Sequence, residues 1–201
     1  MHIKILSLSF ILFISSSQSV FSQLNEFNTL RHQTDKKLML GLGSWASLNI
    51  IGSGIGWATA LAFKKIGAKL IICGRRDEKL RKLCEILGNN TQILKFDVRD
   101  KKAVFEAFNS LSESWKNIEI LINNAGNAHG LDPVQNASID DWDAMIDSNV
   151  KGLMYVTKAV LPKMIESKKG HIINLGSIAG KEVYPNGNVY CSSKAAVDFF
   201  T

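Results

Sequence analysis

From residue 48 to the end of the chain, short largely apolar runs alternate with stretches in which apolar residues recur every three or four positions. Runs of the first kind, at 48–51, 68–73, 91–96, 118–122 and 171–175, read as strands. The stretches between them read as helices. One covers 57–66, with Ile55, Ala58, Leu61, Ala62 and Ile66 inward. A second is capped by Asp77 and turns Leu80, Leu83, Cys84 and Leu87 inward. A third covers 100–111, with Ala103, Val104, Ala107, Phe108 and Leu111 inward. Ser138 can cap a fourth from about residue 139, and a fifth runs over 149–167, bent or broken at Pro162. The last begins near Tyr190.

Strands that are apolar along their whole length need cover on both faces. Alternating with helices, they predict an α/β fold: a doubly wound parallel sheet, Rossmann-type and single-domain, over 48–201. The N-terminal quarter does not share the pattern. Residues 23–47 have no period, and Gly41, Gly43, Ser44 and Trp45 mark them as an irregular linker. Residues 1–4 are positively charged and 5–14 are apolar; with the serines at 15–17 they make 1–22 signal-like. The run is too short to span a bilayer.

Composition changes this picture little. The chain has 201 residues, 46% hydrophobic and 21% charged, which suits one soluble domain. The net charge of +6 is scattered in pairs such as Lys64-Lys65 and Lys101-Lys102. Without a long basic run or a nucleic-acid motif, a solvated surface facing a polyanionic cofactor is expected, with no nucleic-acid partner. Cys73, Cys84 and Cys191 lack metal-type spacing and read as reduced thiols, so no metal is expected and a cytoplasmic location is favoured. The signal-like start leaves secretion open.

The candidate chemistry gathers where each strand ends, which is where ligands bind on such sheets. Gly52, Ser53, Gly54, Ile55 and Gly56 form a glycine-rich turn that opens a helix, where backbone N–H groups and the positive helix end face a phosphate. Arg75 and Arg76 follow the second strand, where an NAD site would carry an acid; guanidinium groups suit a 2′-phosphate and so NADP(H). Asp97 and Val98 follow the third strand, Asn123, Ala125 and Gly126 the fourth, and Ser177 the fifth. Tyr190 and Lys194, four apart, leave one helix face together. An ammonium there stabilises a phenolate and equips the tyrosine for general acid/base work.

This set resembles the short-chain dehydrogenase/reductase family of the common type. The resemblance rests on Gly54-Ile55-Gly56, Asp97-Val98, the Asn-Asn-Ala-Gly block at 123–126, Asn149, Ser177 and the Tyr190/Lys194 pair. Leu131-Asp132-Pro133, Asp141-Trp142 and Gly187-Asn188-Val189 are similar to the branch of NADP-dependent 3-hydroxy acid dehydrogenases that act on serine and L-allo-threonine. The resemblance implies hydride transfer between a nicotinamide and a small 3-hydroxy acid. Tyr190 would be the acid/base, Lys194 its activator and a ligand of the nicotinamide ribose, and Ser177 the holder of the substrate oxygen. Asn149 would support a water that relays protons to Lys194. Asp97 and Val98 would lie along the adenine, and Asn123 to Gly126 would line the cofactor cleft. The family also implies a homo-oligomer.

The sequence departs from the family in two places. Its glycine turn usually begins Thr-Gly, where this chain has Asn49-Ile50, and an isoleucine does not readily take positive φ. Members also continue well beyond the position of Thr201, so a truncated chain with the fifth strand as an open edge is expected. The alternative reading is therefore a non-catalytic nucleotide-binding fragment of such an enzyme.

Overall fold

Leu70 to Cys73 and Ile120 to Asn123 are buried at every position. Strands with no exposed face require neighbours on both edges and helices on both faces. The computed structural model, which describes residues 2–8, 37–41 and 54–201, has that arrangement. Its strands are β1 (His2–Leu8), β2 (Lys37–Gly41), β3 (Lys69–Gly74), β4 (Thr91–Lys95), β5 (Ile120–Asn123) and β6 (Lys169–Leu175). They form one sheet in the order β1-β6-β5-β2-β3-β4, and every pairing is parallel. From β2 the chain winds outward through β3 and β4, then crosses back to β5 on the other side. The β2/β5 boundary is therefore the switch point of a doubly wound sheet.

The helices are α1 (Ile55–Lys65), α2 (Asp77–Leu87), α3 (Lys101–Asn109), a single turn α4 (Glu113–Lys116), α5 (Ile139–Ile146), α6 (Leu153–Glu166) and α7 (Asn188–Phe200). Side chains alternate along a strand, so each strand feeds two cores. On one face Leu70, Ile72, Ile120 and Ile122 pack with Ala60 and Phe63 of α1 and Leu80 and Leu83 of α2. On the other, Ile71, Cys73 and Leu121 pack with Val104 and Phe108 of α3 and Val156, Val160 and Met164 of α6. Ser138 caps α5 by accepting the Asp141 N–H, as the sequence predicts, and Asp100 caps α3 by accepting that of Ala103.

Several expectations are corrected. The central strand is β2, which falls inside the stretch read as linker; residues 48–51, read as the first strand, lie outside the described residues. Leu38 of β2 sits opposite Leu70 on one side and Ile120 on the other. The β6 edge is not open, because β1 pairs with it from His2↔Lys169 to Leu8↔Leu175. The inner face of α1 is Gly56, Ala60 and Phe63, while Ala58 and Ile66 are exposed. The N-cap of α2 is Arg76; Asp77 is already helical and pairs with Arg81 one turn on. Pro162 does not break α6. Both Pro162 and Lys158, whose carbonyl loses its partner, lie on the exposed side, where water can take the freed bond. Finally, α5 and α6 are one continuous helical rod joined by a π segment at Asp147–Gly152.

Candidate active site

Three groups of residues stand at the carboxyl ends of the strands. The first is built on α7. Tyr190 and Lys194 are one turn apart, and the Lys194 ammonium lies 5.9 Å from the centre of the Tyr190 ring. Lys194 Nζ donates to the carbonyl of Leu175, the last residue of β6, at 3.0 Å. Lys194 is 9% exposed. Burial pushes its ammonium down to about 8, and the nearby Asp198 carboxylate resists the change only in part. The chain thus holds a lysine poised to lose its proton just above neutral pH, directly beside a tyrosine.

Behind this pair, Asn149 forms a clamp. Both N–H groups of the Asn149 amide are used, one on the Asn127 carbonyl at 2.9 Å and one on the Ser193 hydroxyl at 3.0 Å. Its oxygen accepts the Asn127 N–H at 2.8 Å. Both amide N–H groups are thus engaged, and the side chain fixes the 126–127 loop to α7. The wide turn of the π segment is what buries Ser148, Asn149 and Gly152 together, and such turns recur at functional sites. A Cβ on Gly126 would stand 3.1 Å from Asn149 Oδ1 and 3.6 Å from Lys194 Nζ, so this glycine lets the loop close over the lysine. A Cβ on Gly180 would fall 2.8 Å from the Lys194 backbone carbon, so that glycine seats α7. Ser177 precedes it in extended conformation at the end of β6. Its hydroxyl accepts the Ala179 N–H at 3.2 Å and caps the 3₁₀ turn Ile178–Gly180.

The second group lines a small cleft at the ends of β3 and β5, bounded by Cys73, Val98, Asn123, Ala125, Gly152 and Val156. Asn123 does not point freely into it. Its amide donates to Thr157 at 3.0 Å and to Asn174 at 2.8 Å, and Asn174 donates to Thr201 at 3.1 Å. Asn123 is thus a buried strut between β5, β6 and α6. Burial pushes the Cys73 thiol up to about 12, which makes it an inert wall. Among the described residues no disulfide joins the three cysteines. Gly152 matters most here: a Cβ on it would meet Val98 Cγ2 at 2.7 Å. Gly152→Ala is expected to push Val98 out of the cleft wall and destabilise the chain by about 1–3 kcal/mol. Urea denaturation measures this, and an unchanged midpoint would contradict the packing.

The third group lies past β3 and β4. Arg75 and Arg76 are exposed there, as the sequence predicts. Asp97 faces Arg75 at 3.5 Å and is gripped by Arg99 at 2.7 Å. Burial raises the Asp97 carboxyl, but the hydrogen bonds from Arg99 and the Arg75 charge outweigh it and hold the group below the ordinary carboxylate range. Of the glycine turn, Gly54 is the N-cap of α1, Ile55 its first residue and Gly56 is buried; Gly52 and Ser53 lie outside the described residues.

Sequence reasoning missed Asn127, Ser193, Gly152, Gly180 and Arg99. Ser193 could have been found, since it stands three residues after Tyr190 on the same helix. Arg99 adjoins the Asp97-Val98 motif. Nothing local marks the other three, whose roles arise from contacts across the fold. No helix of the described residues is long and apolar enough to cross a membrane.

Comparison with known proteins agrees with this geometry. The chain is 48% identical over 149 residues to the NADP-dependent 3-hydroxy acid dehydrogenase YdfG of Shigella flexneri, covering 74% of this chain and 60% of that protein. It is 45% identical over 152 residues to sulfoacetaldehyde reductase 2 of Chromohalobacter salexigens, again covering 74% and 60%. The chain therefore spans about 60% of the length of these curated relatives. The crystal structure of serine dehydrogenase from Escherichia coli superposes with a TM-score of 0.74 at 44% identity, covering 82% of this chain and 72% of that one. The closed form of serine dehydrogenase complexed with NADP+ gives 0.75 at 44% identity, covering 82% and 63%. The family model described as short chain dehydrogenase matches residues 50–201, and the chain belongs to that family.

Proposed function

We propose that the chain is an NADP(H)-dependent oxidoreductase acting on a small 3-hydroxy acid of the serine or allo-threonine kind. The observation that carries this reading is the Tyr190/Lys194 pair, with the lysine head anchored to Leu175 and 5.9 Å from the phenol ring. A phenol beside a largely desolvated ammonium can give up or take a proton at a carbonyl or alcohol oxygen. When bound, the nicotinamide supplies the hydride.

The residues present suit such a cofactor. Arg75 and Arg76 offer guanidinium groups where a 2′-phosphate would lie, with no acid at that strand end. Val98, Ala125 and Gly152 line a small apolar cleft at the strand ends, beside the position the dinucleotide would take. Gly126 allows close approach beside Lys194. In this reading Tyr190 holds and moves the proton. Lys194 stabilises the phenolate and, with its remaining N–H groups, binds the nicotinamide ribose. Ser177 orients the substrate oxygen, and Asn149 keeps the 126–127 loop in register with α7. The 3-hydroxy acid assignment draws support from the similarity to the NADP-dependent 3-hydroxy acid dehydrogenase YdfG and to serine dehydrogenase.

The test is direct. The purified chain is titrated with NADPH by nicotinamide fluorescence and then assayed for oxidation of serine and 3-hydroxypropanoate with NADP+. Saturable binding with turnover supports the reading. Binding without turnover supports the non-catalytic nucleotide-binding alternative. Arg75→Ala is expected to weaken NADPH about tenfold while changing NADH little, as the loss of one charge-assisted contact implies. Equal weakening of both cofactors would remove Arg75 from the phosphate site.

A further inference from the structure

We propose that Arg99 sets the preference for a 2′-phosphorylated cofactor indirectly, by masking the Asp97 carboxylate so that it neither repels the phosphate nor ties up Arg75. The inference rests on the reading of Arg75 as a phosphate ligand, and it names a positioning residue for that site.

The geometry is asymmetric. Asp97 Oδ2 accepts from Arg99 Nη2 at 2.7 Å and from Arg99 Nε at 3.0 Å. Asp97 Oδ1 accepts from Arg99 Nε at 3.2 Å and from the Arg99 backbone N–H at 3.0 Å. Arg75 Nη1 stands 3.5 Å from the same Oδ2, beyond good hydrogen-bond distance. The carboxylate has therefore been captured by Arg99, and Arg75 is only a loose third partner. The backbone bond matters because it fixes the pair in the loop itself, two residues apart, whatever the surface side chains do.

The arrangement addresses a conflict in the site. Asp97 stands at the end of β4, next to the end of β3 from which Arg75 projects. A bare carboxylate there would compete with a phosphate dianion for Arg75 and repel it across a few ångströms. A fork of N–H groups from Arg99 occupies both carboxylate oxygens and cancels their charge locally. Arg75 then keeps its own donors for a ligand. An unphosphorylated ribose brings no such charge, so the masking discriminates between the two cofactors.

The test uses equilibrium titration of the chain with NADPH and with NADH, read by nicotinamide fluorescence. The wild type is compared with Arg99→Gln, Asp97→Asn, the double variant and Arg75→Ala, each with a thermal melt to verify folding. Arg75 and Arg99 are exposed and Asp97 is only partly buried, so the variants should fold. Arg99→Gln is expected to lower the NADPH-to-NADH affinity ratio about fivefold, the upper range for exposed charge coupling. Adding Asp97→Asn is expected to restore the ratio to within about twofold of the wild type, because there is no longer a charge to mask. If the loss persists in the double variant, Arg99 acts on the phosphate itself and the masking is overturned. If Arg99→Gln changes nothing while Arg75→Ala lowers the ratio, the masking fails and the phosphate site stands. If Arg75→Ala leaves the ratio unchanged, the phosphate reading fails and the masking with it.

Discussion

Tyr190→Phe is expected to cut turnover by about three orders of magnitude, within the range for loss of a positioned general acid/base. The substitution removes one oxygen and keeps the ring. The 5.9 Å contact with the Lys194 ammonium is therefore retained, as is the bond from Lys194 to Leu175. Ser193 still donates to the backbone carbonyl of residue 190, so the start of α7 is undisturbed. NADPH affinity should then stay close to that of the wild type. The measurement is paired: fluorescence titration for binding, and initial rates of serine oxidation for turnover. Turnover at a tenth of the wild-type rate or more would take the proton-transfer role away from the phenol. A joint loss of binding and turnover would instead point to a distorted helix.

The second large effect concerns Lys194 and stability. Burial lowers its folded-state value to about 8, below that of a lysine in the unfolded chain. The unfolded state therefore binds the extra proton between about pH 8 and pH 10.4, and stability rises with pH across that window. Below pH 8 both states are protonated and the folded chain carries the full cost of the buried ammonium, about 3 kcal/mol. Lys194→Met removes that cost but strips the Leu175 carbonyl of its donor, a loss of about 1–3 kcal/mol. At pH 7 the first effect is the larger, and the variant is expected to be about 1 kcal/mol more stable than the wild type, though inactive. Above pH 10.4 only the lost bond remains, and the variant is expected to be the less stable of the two. Urea denaturation at pH 7 and at pH 10.5 checks the change of sign. Differences of equal size at both values would show that the ammonium carries no burial cost. A change of sign would make the wild-type lysine an example of stability given up at the Tyr190/Lys194 pair.

The two effects bear on different parts of the same pair. Tyr190 is half-buried and carries the phenol oxygen, while Lys194 is almost wholly enclosed by β6, Gly126 and the clamp through Asn149. Loosening the enclosure would let water reach the ammonium and raise its value toward that of an ordinary lysine. The glycines at 126 and 180 and the amide of Asn149 thus act on the chemistry through the lysine.

Much of this was legible in the chain itself. Largely apolar runs at 68–73, 118–122 and 171–175 specify buried strands, because little else buries so many apolar residues in so short a length, and 91–96 reads as a further strand beside them. The helices between them follow from a 3.6-residue period, and the cap at Ser138 from local side-chain chemistry. Tyr190 and Lys194 meet because four residues make about one turn. These are all properties of neighbours in sequence. Tertiary structure decided the rest. Lys37–Gly41, only three of whose residues are strongly apolar, becomes the central strand because it pairs on both sides with β3 and β5. His2–Leu8 becomes an edge strand by pairing with a partner more than 160 residues away. Asn149 becomes a clamp and Gly152 a seat for Val98 because a π turn faces loops from other strands. The Asp97 carboxylate is shared between Arg75 and Arg99 because two parallel strands end side by side. Periodicity reports which face of an element is buried. It carries no information on what stands opposite that face, and at the strand ends that is what determines the chemistry.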